Sequence, residues 1–308
     1  MLNNNTPSSV IADAQIYAAL AAKFPELDME RQMQTVFQFV AMPMTALWYS
    51  GNTDNERDWC EYVSTRRDGY FFNGAGRFSQ AYRTMLLSAD RSCLGSECSH
   101  VDTALDRMNR NLEMRITGNL ADDAAQWDTA ADWMFVCDTD SDIPTDNPFL
   151  RSFEGPLGTI NSLDELLADR CAYRLRVKGV GIYEIERGDW YQESLVNPAF
   201  PLVQGGSIRI EQLFGRRGGL QHTGLKVLVS YEPEVTITVA ANKLLILMAR
   251  NALSTPVMVG GLHFDLARAS ILPQANVLGD GPAPVCIRLP ALKHTPQVWG
   301  VLSKCNYL

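Results

Sequence analysis

The stretch that decides the fold is Cys171-Ala-Tyr-Arg-Leu-Arg-Val-Lys-Gly-Val-Gly-Ile-Tyr-Glu-Ile-Glu-Arg187. Tyr173, Leu175 and Val177 alternate with Arg174, Arg176 and Lys178, which is the period of two of a half-buried strand. After Gly179-Val180-Gly181 the alternation resumes from Ile182 to Arg187. A three-residue loop at 179–181 predicts a hairpin. In that register Leu175 faces Ile185 and Val177 faces Tyr183 on one side. Arg176 faces Glu184 and Arg174 faces Glu186 on the other, so opposite charges pair across the strands. The same two glutamates are thereby accounted for without a catalytic role.

Downstream, further strands are predicted at 208–214, 225–231, 235–239, 244–250, 256–266, 285–289 and 298–303. They are rich in Val, Ile, Leu and Thr and bounded by Gly, Pro and Asn. Upstream the pattern is helical. Ser8 or Ser9 can cap a helix from Val10 to Phe24 that Pro25 ends. Asp28 can cap a second, with Met29, Met33, Val36, Phe37 and Val40 on one face, ended or kinked by Pro43. Further helices are expected over 56–67, 76–89, 98–116 and 120–136. Asp138 to Pro148, with two prolines and clustered aspartates, reads as a linker. A short helix is expected at 161–170. The expected fold class is therefore α+β: a mainly helical region over 1–150, a linker with a short helix over 151–170, and an antiparallel β-sandwich, jelly-roll-like, over 171–308.

The 308 residues carry 27 basic and 35 acidic side chains, a net charge of −8. Residues 1–150 hold 11 basic and 22 acidic residues, a net of −11, and residues 151–308 hold 16 and 13, a net of +3. Such a split suits complementary faces on neighbouring copies. No Lys or Arg precedes Lys23, which argues against both a signal peptide and a basic arm for nucleic acid. The apolar stretch Val235–Val259 is interrupted by Asn242, Lys243, Arg250 and Asn251, too often for a membrane span. The seven cysteines are read as thiols of a reducing compartment; Cys93 and Cys98 lack the second pair that structural zinc needs.

Chemistry is sparse. The four histidines are far apart, with no H-E-x-x-H spacing, and no P-loop, dinucleotide fingerprint or G-x-S-x-G elbow is present. Asp138, Asp140 and Asp142 begin like a calcium loop, but Ile143 and Phe149 occupy the positions where an EF-hand has glycine and glutamate. What remains is a loose carboxylate site, with no cofactor expected. Trp48-Tyr49, Phe71-Phe72 and Trp190-Tyr191 flank turn sequences and are candidate interface anchors.

These features predict a self-assembling structural protein rather than an enzyme: a viral or bacteriophage capsid or capsid-associated protein. Its partners would be copies of itself in a homo-oligomer or shell and other virion proteins, with no direct contact to nucleic acid or membrane. It would reside in the virion, or in the cytoplasm before assembly. The alternatives are a β-sandwich module that binds carbohydrate or protein at Trp190-Tyr191, and an enzyme using His263 beside Asp265.

Overall fold

The computed structural model describes residues 8–31, 34–41, 44–50, 53–138, 147–151, 172–239, 257–272, 285–290 and 294–306. The expected first helix is α1 (Ser8–Lys23), which buries Ile16 and Leu20; Pro25 then opens a 3-10 turn, Pro25–Leu27. The second expected helix is instead strand β1 (Thr35–Val40). Five of its six residues are β-branched or aromatic. It is buried almost continuously, so no period of two shows in its sequence.

Three more helices stop early and hand over to strands. Helix α2 (Thr53–Glu61) runs directly into β2 (Tyr62–Ser64), followed by β3 (Tyr70–Phe71) and β4 (Asn73–Arg77). Helix α3 (Phe78–Leu87) matches expectation, and α4 (Cys98–Arg110) gives way to β5 (Met114–Ile116). Helix α5 (Leu120–Trp127), capped by the Asn119 side chain, precedes β6 (Trp133–Asp138). The region expected to be helical thus supplies six strands. A one-turn helix α6 (Pro148–Arg151) closes it.

The later chain holds β7 (Ala172–Val177), β8 (Gly179–Arg187), β9 (His222–Tyr231), β10 (Glu234–Val239), β11 (Val257–Val259), β12 (Leu262–Phe264), β13 (Ser270–Leu272), β14 (Val285–Pro290) and β15 (Pro296–Cys305). The strand expected at 208–214 is a short helix, Ile210–Phe214. There the Arg209 backbone N–H is held by the Gln212 side chain in a capping box. The strand expected at 256–266 is the hairpin β11–β12. Gly260 and Gly261, at φ of 54° and 75°, supply the left-handed turn that a two-residue hairpin needs. The strand at 244–250 and the helix at 161–170 lie outside the described residues.

Two sheets organise the molecule. One has six strands in the order β3-β1-β15-β9-β8-β5, and the other five in the order β13-β14-β10-β7-β6. All pairings are antiparallel except β1 with β3. Their apolar faces share a core: Phe37, Phe39, Leu228, Trp299 and Leu302 from the first sheet meet Leu175, Val177, Val235, Ile237, Ile287 and Leu289 from the second. Helix α1 joins this core and is pinned by buried Asp13. That carboxylate accepts the Tyr70 hydroxyl and, at 2.9 Å, the Gly260 N–H. A second apolar cluster gathers α3, α4 and the 190–220 segment around Tyr82, Trp190 and Phe214.

The expected β7–β8 hairpin does not form. Strand β7 pairs with β10 and β6 in the five-stranded sheet, and β8 pairs with β9 and β5 in the six-stranded sheet. Leu175 lies opposite Val235 and Phe135, and Ile185 opposite Ile116. The charges find other partners. Arg176 meets Glu234 at 3.2 Å, Glu184 meets Lys226 at 3.2 Å, and Glu186 meets Arg115 at 2.7 Å. Gly179 and Gly181 are part of β8 rather than a loop. Their missing side chains make room for rings: a Cβ on Gly179 would lie 2.1 Å from Trp127, and one on Gly181 2.6 Å from the Tyr183 hydroxyl.

Candidate functional site

The chain passes between the sheets four times at one corner. It does so from β5 through α5 to β6, from β7 to β8, from β9 to β10, and from β14 to β15. Among the described residues each crossing contributes a charged or imidazole side chain there: Asp128 at the end of α5, Lys178 between β7 and β8, Glu232 after β9, and His294 before β15. Strands that switch sheets make such corners in packed-sheet proteins.

The four groups form one network. Lys178 Nζ lies 2.7 Å from Asp128 Oδ1 and 3.6 Å from Glu232 Oε2. Glu232 Oε1 accepts the His294 backbone N–H at 2.7 Å and lies 3.4 Å from His294 Nδ1. The Tyr231 hydroxyl is 3.2 Å from the same Nδ1. Glu232 and His294 adopt left-handed backbones, at φ of 45° and 54°, which costs non-glycine residues free energy that the surrounding contacts must offset. The Asp128 carboxyl is held below its ordinary pKa, first by its hydrogen bond with Lys178. The Lys178 ammonium is held above its own for the reciprocal reason. Asp128, Glu232 and His294 each offer a ligand atom, and these atoms lie within 4.8 Å of one another.

An open cavity of about 660 Å³ lies at the other end of β15, lined by Gln34, Glu193, Ser194, Asn197 and Lys304 among others. Its opposite charges neutralise each other, with Lys304 Nζ 2.6 Å from Glu193 Oε1.

The aromatic residues expected as interface anchors all make contacts within the chain, Trp48, Phe71 and Trp190 buried and Tyr49, Phe72 and Tyr191 half-buried. Trp48 is buried edge-on against Trp59 and Tyr183, and Phe71 is buried in the same cluster, with Tyr49 packed against it. Phe72 lies half-buried under the Arg66 guanidinium, 5.0 Å away. Trp190 is fully buried, donates to the Glu113 carbonyl at 2.8 Å, and packs on Tyr82 and Tyr191. Tyr191 lies 5.5 Å from the guanidinium of Arg187, which also stands over Phe78. Of the carboxylate loop, Asp138 ends β6, and Asp140 and Asp142 lie outside the described residues. His263 and Asp265 do not form a dyad: the His263 ring is 3.3 Å from the Val40 carbonyl, while Asp265 caps the Leu266–Arg268 turn.

The corner was not singled out from sequence. Its members are isolated charged residues 50 or more positions apart, and only the strand order brings them together. Asp128 was further hidden by the expectation of a helix continuing to 136.

No family model, curated protein or solved structure matches the chain. No helix among the described residues is long and apolar enough to cross a membrane.

Proposed function

We propose that the chain is a self-assembling structural protein of jelly-roll-like sandwich plan, a capsid or capsid-associated component of a viral or bacteriophage virion. The two sheets facing one core and the converging strand crossings support the sandwich reading. Support for assembly comes from one observation: the outer face of the five-stranded sheet. Met134 and Val136 on β6 are 50% and 61% exposed. In register with them lie Arg174 and Arg176 on β7, Glu234 and Thr236 on β10, and Arg288 on β14. Arg176 also pairs with Asp132, at 3.3 Å, so the face carries three arginines and two carboxylates beside large apolar side chains; that mixture suits a partner surface that is apolar and mildly acidic. The acidic side chains of the first 150 residues, at net −11, are the source from which a second copy would supply it. In this reading the contact is head-to-tail, the type that generates rings and shells. The carbohydrate-binding alternative would need an exposed Trp190, which is fully buried.

Light scattering coupled to size-exclusion chromatography, followed by electron microscopy of the largest species, tests the reading. Concentration-dependent oligomers that dissociate as salt is raised are expected, because exposed ion pairs are screened. The double variant Met134→Glu, Val136→Glu is expected to be monomeric with an unchanged melting temperature. A wild-type monomer at high micromolar concentration and low salt would defeat the proposal.

A further inference from the structure

We propose that the corner is a binding site for a divalent transition-metal ion, with Asp128, Glu232 and His294 as ligands and Lys178 as the cation that the metal displaces. This is independent of the assembly reading. The donor set is two carboxylates and an imidazole. That combination suits Zn²⁺ or Co²⁺ better than Ca²⁺, which takes six or more oxygens. The ligand atoms lie within 4.8 Å of one another. Around zinc-like ions, at bond lengths of about 2.0–2.2 Å, they would close to roughly 3.3 Å. Asp128 and His294 are exposed and Glu232 is half-buried, so side-chain rotation can supply that movement.

The place of a cation is already marked. The Lys178 ammonium sits against both carboxylates, 2.7 Å from Asp128 and 3.6 Å from Glu232. A divalent ion there carries twice the charge and adds the imidazole as a ligand, and Lys178 can swing into solvent on its flexible stem. The ligands arrive on three separate connections, so a bound ion would tie the end of α5 to turns that join the two sheets. Three protein ligands leave the solvent side of the ion open for water.

Titrating the full-length chain with Co²⁺ and recording its visible spectrum tests the site. Saturable d–d absorption without a thiolate-to-metal charge-transfer band is expected, and Zn²⁺ should compete it away. Asp128→Asn and His294→Ala should each weaken binding by more than about tenfold. Their melting temperatures in chelator, compared with wild type, establish that both variants fold. Lys178→Met should tighten binding by about fivefold, the scale of an exposed ion pair removed from competition. The proposal is overturned by the absence of saturable absorption, by binding that survives both ligand substitutions, or by a charge-transfer band that assigns the metal to cysteines.

Discussion

Strands β7 and β8 are separated by one residue, Lys178, and share one alternating pattern, yet they end in different sheets and different surroundings. Strand β7 turns its arginines to solvent on the outer face of the five-stranded sheet. Strand β8 ends on an arginine that is half-buried among carbonyls and rings. Arg187 donates to the carbonyls of Gly224 at 2.8 Å and Cys60 at 3.1 Å, and lies 4.3 Å from the Phe78 ring. Alternation encodes which face a side chain takes. It does not encode the neighbouring strand, or the depth at which the strand ends.

The largest expected effect tests that difference in depth. Arg187→Ala removes a half-buried cation from two carbonyls and two aromatic faces, near the buried Glu61. A loss of about 3–4 kcal/mol is expected in urea denaturation, the sum of two charge-assisted hydrogen bonds and the ring contacts. Arg176→Ala on β7, at the surface, should cost about 1 kcal/mol or less. Equal losses at the two positions would erase the contrast.

Next is the response to acid. His222 opens β9, the neighbour of β8. Burial, with the Arg67 charge second, lowers its pKa from 6.5 to about 4. The folded state therefore keeps the ring neutral while the unfolded chain protonates it below pH 6.5. Stability from this group is complete above that pH and is lost as pH falls towards 4, by up to ~3 kcal/mol. Burial pushes His263 in the same direction. His222→Gln should flatten the fall between pH 6.5 and 4 without abolishing it, as read by denaturation midpoints across that range. An unchanged slope would mean that His222 is not the group responsible.

The inward and outward assignment of β7 was legible because that strand is buried on one face only, whereas β8 packs Val180 and Ile182 against one apolar cluster and Tyr183 and Ile185 against another. Tyr173, Leu175 and Val177 are buried and Arg174 is exposed, as the alternation requires. Strand β1 was not legible, because neighbours on both faces make its apolar residues continuous, and Met29 and Met33 extend them into a false helical stripe. The turns at Lys178, Glu232 and His294 were not legible as a site, since convergence of distant turns is a property of strand order. Gly179 shows how local chemistry misleads. Glycine beside a lysine after an alternating run reads as a turn, whereas here it is the space that a tryptophan ring needs.

That reading of Gly179 gives the third expectation. A methyl group there meets the body of the Trp127 ring, which is itself packed on Tyr231. Gly179→Ala should destabilise by about 2 kcal/mol, the scale of an overpacked core. Pairing it with Trp127→Leu should recover part of the loss. If the glycine served only a hairpin turn, the second substitution would recover nothing.

The smallest effect separates the two strand arrangements most directly. In a β7–β8 hairpin, Arg176 would face Glu184. In the two-sheet arrangement it faces Glu234, at 3.2 Å, and Glu184 faces Lys226. Double-mutant cycles with alanine at Arg176 and at each glutamate measure which pair interacts. Glu234 is only 14% exposed and is shared with Arg288, whose Nε lies 2.6 Å away. Its coupling to Arg176 should be about 0.5–1 kcal/mol, the upper range for partly exposed pairs. Coupling between Arg176 and Glu184 should be near zero, because groups without contact or shared partners add independently. The reverse result would return β7 and β8 to one sheet, and with it dissolve the corner where Lys178 meets Asp128 and Glu232.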